Sequence, residues 1–463
     1  MTTLLIVFST LILITVISIF VNSKFAGSIK DFVLGGRISK ETELSFAISA
    51  HWMFAIAIFF GTSMAYKFGV FGMFWFIVPN VLSLVWMGII ANNIKKNYGL
   101  NYSSLVEFIS AKVSKRVGFL FLLELLILAV SALNLAFIAI SKAWTFIGLD
   151  DVTDISSTNI ILIVTLLSLA QAIYGGIRTS IFSGRIQGVA WLVVSLIIFA
   201  LLLNPNITFG EGNIGGIKNV ENLFDSEMLF SFAIFTAISL TVGATSHGAL
   251  WQKKYTSKSQ NNLKKIFTLA GINFGIIITA ISILSLLHLN NQSENLQNIQ
   301  QSILLGAELL GGKVLVTSII CLIFLHSSSL IDAYSNYFSS LVSFDLPKIF
   351  PNHKKQFTSL TNIKIFTVIS IILCFCLFLA KLSIWYIFGL MSILRIVNFF
   401  PLVFISLKKN ISENYYFYIC SFFAIVCFSM FFIAKTTKNN ELLVSAGALA
   451  FFGPIAVLSI LKK

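Results

Sequence analysis

Charge is what this sequence has little of. Of its 463 residues, 11% are Asp, Glu, Lys or Arg and 57% are apolar, with a mean hydropathy of +0.92. A water-soluble domain carries about 25% charged residues, so a soluble globular protein is excluded. Cysteine is also scarce. Cys321, Cys374, Cys376, Cys420 and Cys427 all lie in apolar stretches, and none has the spacing of a disulfide framework, metal site or redox motif. A phosphate-binding loop is missing. The nearest approach, "GAELLGGKV" at 306–314, has the wrong glycine spacing and places Val314 where a Ser or Thr is required, so ATP-driven pumping is not expected. The loops reach only roughly 25 residues, too short to fold as domains. No cluster of side chains stands at reactive spacing, so the chain is not expected to be an enzyme, and no cofactor is implied. No basic residue precedes the first apolar run, which is therefore expected to be a span rather than a cleaved signal peptide.

What is present is a series of long apolar runs, each able to cross a bilayer as a helix. Hydropathy places about thirteen, near 4–22, 44–66, 69–91, 117–146, 158–174, 186–204, 228–251, 266–288, 313–344, 365–380, 383–407, 415–434 and 441–461. The expected fold class is an all-α polytopic membrane protein. The formal net charge of +14 is distributed by topology. Basic residues fill alternate loops: Lys24 to Lys40, Lys95 to Arg116, Arg178 and Arg185, Lys253 to Lys265, Lys348 to Lys364, Lys408 and Lys409, then Lys462 and Lys463. The intervening loops carry Asp150, Asp151, Asp154, Glu211, Glu221, Asp225 and Glu227, then "NNQSENLQNIQQ". Cytoplasmic loops favour Lys and Arg, which predicts an integral plasma (inner) membrane protein with its N-terminus outside and its C-terminus cytoplasmic. The positive charge therefore requires no nucleic acid.

One stretch breaks the apolar pattern. "LHSSSLIDAYSNYFSSLVSFD" (325–345) follows directly on "VLVTSIICLIF". At about 100° per residue, His326, Ser329, Asp332, Asn336, Ser340 and Ser343 share one helix face. Serines alone suit helix packing in membranes, but a carboxylate at that depth needs a cation, a proton or a basic partner. Other spans carry His51 and Trp52, Glu124 and Asn134, Gln171, His247 and Trp251 within "VGATSHGALWQKK", and Arg395 within "MSILRIVNFFP". Arg395 could neutralise Asp332 as a structural ion pair or hold an anionic group of a solute. The histidines and Glu124 have equally plain structural readings as satisfied polar residues. Gly-interrupted spans such as 44–72 and 240–250 suit broken helices whose exposed backbone lines a binding site.

Several segments, in order, resemble the sodium:solute symporters of the leucine-transporter-like fold. These are "DFVLGGRISKETELSFAISAHWM" (31–53), "GTSMAYKFGVFGMFW" (61–75), "YGGIRTSIFSGRIQG" (174–188), "GALWQKKYTSKSQNNLKK" (248–265) and the 325–345 helix, with Ser329, Asp332, Ser339, Ser340, Asp345 and Lys348 in register. "SMAYKFGVFGMFW" and "GALWQKK" are most similar to the urea-transporting branch. The resemblance implies a ten-helix core of two inverted five-helix repeats, 44–204 and 228–407, with 4–22, 415–434 and 441–461 peripheral. It also implies a solute at mid-membrane and a sodium ion as coupling partner. The ion would be held by backbone near Ala50 and Met53 and by the hydroxyl of Ser329; oxygen donors suit such a hard cation.

The sequence departs from that pattern at defined positions. Leu330 stands where a second hydroxyl is usual, Gly184 where an aspartate is usual, and His326 where an alanine lends its carbonyl. Moving the register so that Ser328 and Ser329 form the pair restores two hydroxyls and displaces Asp332. A proton, or an ion-independent exchanger or facilitator, is the alternative to sodium. The solute site expected from His51, Trp52, His247, Trp251, Asp332 and Arg395 suits a small polar molecule: an amide, an amino acid or an organic acid. A channel or a membrane sensor are more distant alternatives; the sensor would need a signalling domain beyond the last span.

Overall fold

A computed structural model gives the architecture. It describes residues 2–99, 101–146, 156–205, 222–258, 260–289, 302–351, 357, 359–380 and 384–461. The acidic loop residues Asp150, Asp151, Asp154, Glu211 and Glu221, the "NNQSENLQNIQQ" run, and Lys354, Lys355, Lys462 and Lys463 lie outside the described residues.

Among the described residues, fifteen helices run in chain order. They are α1 (Thr2–Asn22), α2 (Ile29–Leu34), α3 (Glu41–Trp52), α4 (Phe54–Tyr98), α5 (Leu105–Lys112), α6 (Lys115–Phe146), α7 (Ser157–Leu202), α8 (Ser226–Ser246), α9 (Gly248–Thr256), α10 (Leu263–Leu289), α11 (Ser302–Ser340, continuing to Ile349), α12 (Leu360–Leu379), α13 (Ile384–Ser406), α14 (Tyr415–Thr437) and α15 (Asn440–Leu461). Among the described residues, eleven helical stretches are long and apolar enough to cross a membrane. All-helical architecture is what lipid demands, because a helix satisfies its own backbone where no water is available.

Thirteen runs become eleven stretches because two helices each hold two runs. α4 is broken at Gly69 (φ 58°, ψ −146°) and α7 at Gly176 (φ 60°, ψ −155°). A side chain rarely tolerates this backbone region, so each glycine turns the chain from one helix directly into the next. α11 has the same break at Gly312 (φ 61°, ψ −160°). The broken helices also differ from expectation in one detail: between α3 and α4 the interruption falls at Met53, with no glycine.

The centre of the molecule is built by α3, α4, α7, α10 and α11. α10 packs along α4, α11 along α7, and α3 against both α7 and α10. α1, α12, α14 and α15 are peripheral: between a fifth and a third of their apolar windows are buried. The polar face of α11 points inward as its periodicity requires, with His326, Ser329, Asp332 and Asn336 fully buried.

Replacing Gly176 by Ala imposes the strained φ and drives a Cβ into the carbonyl oxygen of Phe32, whereas a Cβ at Gly312 meets nothing within 4 Å. Strained backbone costs about 1–3 kcal/mol by itself. Gly312→Ala is therefore expected to lower the melting temperature modestly and Gly176→Ala substantially more. Equal melting temperatures for the two variants would show that the Gly176 contact with Phe32 carries no weight.

Candidate functional site

The site forms where two transmembrane elements lose their helical backbone near one another. α8 ends in a tight turn at Gly243–Ser246, and His247 is extended (φ −95°, ψ 108°) before α9 begins. A helix end inside a bilayer leaves N–H and C=O groups that need partners. Side chains supply them. Ser83 Oγ accepts from the Ala244 N–H at 2.7 Å, and Trp251 Nε1 donates to the Thr245 carbonyl at 2.7 Å. Gln252 Nε2 donates to the carbonyls of Val33 (3.1 Å) and Asn336 (2.9 Å), tying α9 to α2 and α11. Gly248 is required here because a Cβ would enter the Tyr337 ring.

At this break Arg395, on α13, reaches His247. Its Nη2 lies 2.7 Å from His247 Nε2, and His247 Nδ1 lies 2.6 Å from the Tyr334 hydroxyl of α11. A guanidinium only donates, so His247 Nε2 accepts. The ring is then the neutral tautomer with its proton on Nδ1, which donates to Tyr334. Trp52 closes the arrangement edge-on to His247, with ring centroids 5.3 Å apart at 89°. Arg395 is 5% exposed, its Nε has no hydrogen-bond partner, and among the described residues no carboxylate lies within ion-pair distance of it. Gly243 leaves the space beside it: a Cβ there would sit 3.1 Å from the Trp52 ring and 3.5 Å from Arg395 Nη1.

Asp332 and Arg395 therefore do not pair. Asp332 Oδ1 accepts from Asn336 Nδ2 at 2.9 Å, and its other oxygen has no hydrogen-bond partner. Lys253, on α9, is fully buried, its Nζ has no hydrogen-bond partner, and Asp332 is its Coulombic partner. Sequence reading assigned Lys253 to a cytoplasmic loop and missed it as a site residue; its adjacency to the broken segment 243–247 was the available signal. Trp251 is structural in this arrangement, bracing the break. Glu124 accepts hydrogen bonds from Asn398 and from Tyr416 (3.2 Å) and locks α6 to α13 and α14, which is the plain reading of that residue.

The residues expected to hold an ion do not all converge. Ser329 Oγ lies 3.1 Å from His51 Nε2. Ser328 Oγ points elsewhere, 2.8 Å from Ser168 Oγ on α7. The ring nitrogens of His326 are buried without hydrogen-bond partners. Ala50 and Met53 are buried at the end of α3, as their neighbour His51 is.

The two ends of the site differ. On one side, the segment before α3 is tied to the segment after α9. Ser39 N donates to Thr256 O (3.3 Å), Asn261 Nδ2 to Ser39 O (2.8 Å), and Asn262 N to Glu41 Oε1 (2.7 Å). The Asn262 N–H, with Lys265 at 3.4 Å, holds the Glu41 carboxyl below its ordinary range. On this side the space around Trp251, Tyr337 and Asp345 is only about 10 Å³. On the other side a cavity of about 170 Å³ is lined by Phe60, Met64, Lys67 and Phe68 of α4, Phe232 and Phe235 of α8, and Lys435 of α14.

The all-helical architecture is shared with known structures. A Na+-coupled sialic acid symporter, solved in a substrate-bound outward-open state, superposes with a TM-score of 0.68 at 15% identity, covering 98% of this chain and 96% of that one. The chain has the leucine-transporter-like fold. Mhp1, a nucleobase-cation-symport-1 family transporter, matches at a TM-score of 0.55 in a closed conformation with bromovinylhydantoin bound, and 0.52 in an inward-facing one. Those matches have 13% and 14% identity, cover 90% of this chain, and cover 92% and 91% of the Mhp1 chains. No family model matches the sequence, and no curated protein matches it. At such identities the leucine-transporter-like fold is what is shared, and nothing favours the urea-transporting branch.

A buried charge deprived of its opposite is costly, and Asp332 and Lys253 act on each other's charge. Asp332→Asn and Lys253→Met are each expected to destabilise the purified protein strongly, and the double variant much less than their sum. Strict additivity in a double-mutant cycle would mean that the two groups do not interact.

Proposed function

We propose that this protein is a secondary active transporter that moves a small carboxylated solute across the membrane by alternating access. The observation that carries the reading is Arg395, a buried guanidinium at a broken helix, held by His247 and without a carboxylate partner among the described residues. A charge at membrane depth is costly unless it is paired, and a solute anion offsets that cost. A carboxylate suits the guanidinium fork, which can offer it two parallel hydrogen bonds. Of the amide, amino acid and organic acid that the sequence left open, the two carboxylate-bearing classes fit best. Neutral His247, fixed by Tyr334, orients the guanidinium, and the Trp52 ring edge bounds the apolar side.

The leucine-transporter-like fold supports the alternating-access part of the proposal, as does the difference between the two ends of the site. The tied end at Ser39, Glu41, Thr256 and Asn262 is closed, while the 170 Å³ cavity lies toward the other end. In this reading 44–204 and 228–407 are the inverted repeats, which pairs the interruption at Met53 with that at 243–247. The helices 4–22, 415–434 and 441–461 are then peripheral. The basic loops set the N-terminus outside and the C-terminus in the cytoplasm of a plasma (inner) membrane protein.

The test is a thermal-shift panel on detergent-purified protein, pairing small carboxylates with their isosteric amides. A ligand that binds the folded state raises its stability by mass action. Carboxylates are expected to stabilise and the amides not. Arg395→Met should weaken the response by the about 1.5–3 kcal/mol of a charged hydrogen bond, roughly 10- to 100-fold in affinity. Arg395→Lys should not restore it, because an ammonium lacks the fork. Equal stabilisation by acid and amide would remove Arg395 from solute recognition.

A further inference from the structure

The sialic acid symporter of similar fold is described as Na+-coupled, and the sequence resemblance places a sodium ion against Ala50, Met53 and Ser329. The residues present do not fit that ion. His51 Nδ1 donates to the Ala47 carbonyl of its own helix, which fixes the ring. Its Nε2 then lies 3.1 Å from Ser329 Oγ on α11 and 3.4 Å from Ser180 Oγ on α7. The hydroxyl expected to ligate the ion is thus in direct contact with an imidazole, with no gap for an ion between them. Gly184 makes the room. A Cβ at that position would stand 2.7 Å from His51 Cε1 and 3.2 Å from Nδ1, so an aspartate at 184 and this ring position exclude each other. The other side-chain oxygens do not make up the loss: Leu330 carries none, and the Ser328 hydroxyl is engaged by Ser168 at 2.8 Å, which leaves only backbone carbonyls near Ala50 and Met53.

We infer that the His51 imidazole takes the place of sodium in this protein, and that α3, α7 and α11 are bridged by an imidazole rather than by an ion. His51, which the sequence suggested as a solute ligand, is then a positioning residue. The geometry stands by itself; the consequence, transport without sodium at this site, rests on the transporter reading above.

The first experiment uses the full chain in detergent without any solute. Its thermal midpoint is followed in rising sodium chloride, against potassium and choline chloride at matched ionic strength. A sodium site in the folded state would give a saturable, sodium-specific rise. None is expected. A sodium-specific rise that Ser329→Ala abolishes overturns the inference. A rise that Ser329→Ala leaves unchanged reports an ion elsewhere and is compatible with the bridge. Should the alanine variant not fold, Ser329→Cys serves, since a soft thiol is a poor ligand for a hard cation. Counterflow of a labelled carboxylate in proteoliposomes separates this inference from the transporter reading. Exchange with choline as sole cation supports both. Exchange confined to sodium keeps the transporter, and overturns the inference when Ser329→Ala removes that sodium dependence. Absence of exchange in either salt counts against the transporter reading, while the thermal comparison still decides the ion.

Discussion

A polar group at the middle of a bilayer must find its partner inside the protein, and the structure is organised around that constraint. Where α8 gives way to α9, the freed backbone is claimed one group at a time: the Ala244 N–H by Ser83 and the Thr245 carbonyl by Trp251. The break is therefore stable without water, and it can hold Arg395, His247 and Tyr334 in one hydrogen-bonded line. That line ends in a guanidinium whose Nε has no hydrogen-bond partner. The same constraint explains α11. Ser327, Ser335 and Ser343 bond to its own backbone, Ser339 also meets Thr367 at 2.8 Å, and Ser329 meets His51. Its one carboxylate at that depth is steadied by Asn336 and by the charge of Lys253.

Two buried cations thus have different roles in one core. Lys253 and Asp332, both buried, act on each other's charge without forming a close ion pair. Arg395 has only a neutral imidazole beside it, so its charge is not balanced within the site. In the proposed function the guanidinium, with no carboxylate beside it among the described residues, is what an anionic solute would meet. The distinction rests on which acid lies near which base, and it is what moves the functional reading from a general polar solute to a carboxylate. His51 adds a third device. It joins α3 to α7 and α11 by hydrogen bonds, at a junction that solute-driven rearrangement of the helices would have to respect.

The sequence by itself determined the solvent and the fold class. A chain with 11% charged residues and repeated apolar runs has to be a helical membrane protein, and the thirteen runs are recovered once the turns at Gly69 and Gly176 divide α4 and α7. It also determined that the face of α11 bearing Ser329 and Asp332 points inward, because helical periodicity is local. The interruption near 243–247 was legible for the same reason, from Gly243 and Gly248. Only the tertiary structure decided which charge meets which. Asp332 and Arg395 are the conspicuous opposite charges in the sequence, yet Asp332 is bonded by Asn336 and Arg395 by His247. Lys253 had looked like a loop residue because a run of lysines in sequence does not reveal which one folds inward. Likewise Gly184 and His51 are 133 positions apart; that the missing Cβ of one makes room for the ring of the other is a fact about packing, and packing is set by all the helices at once.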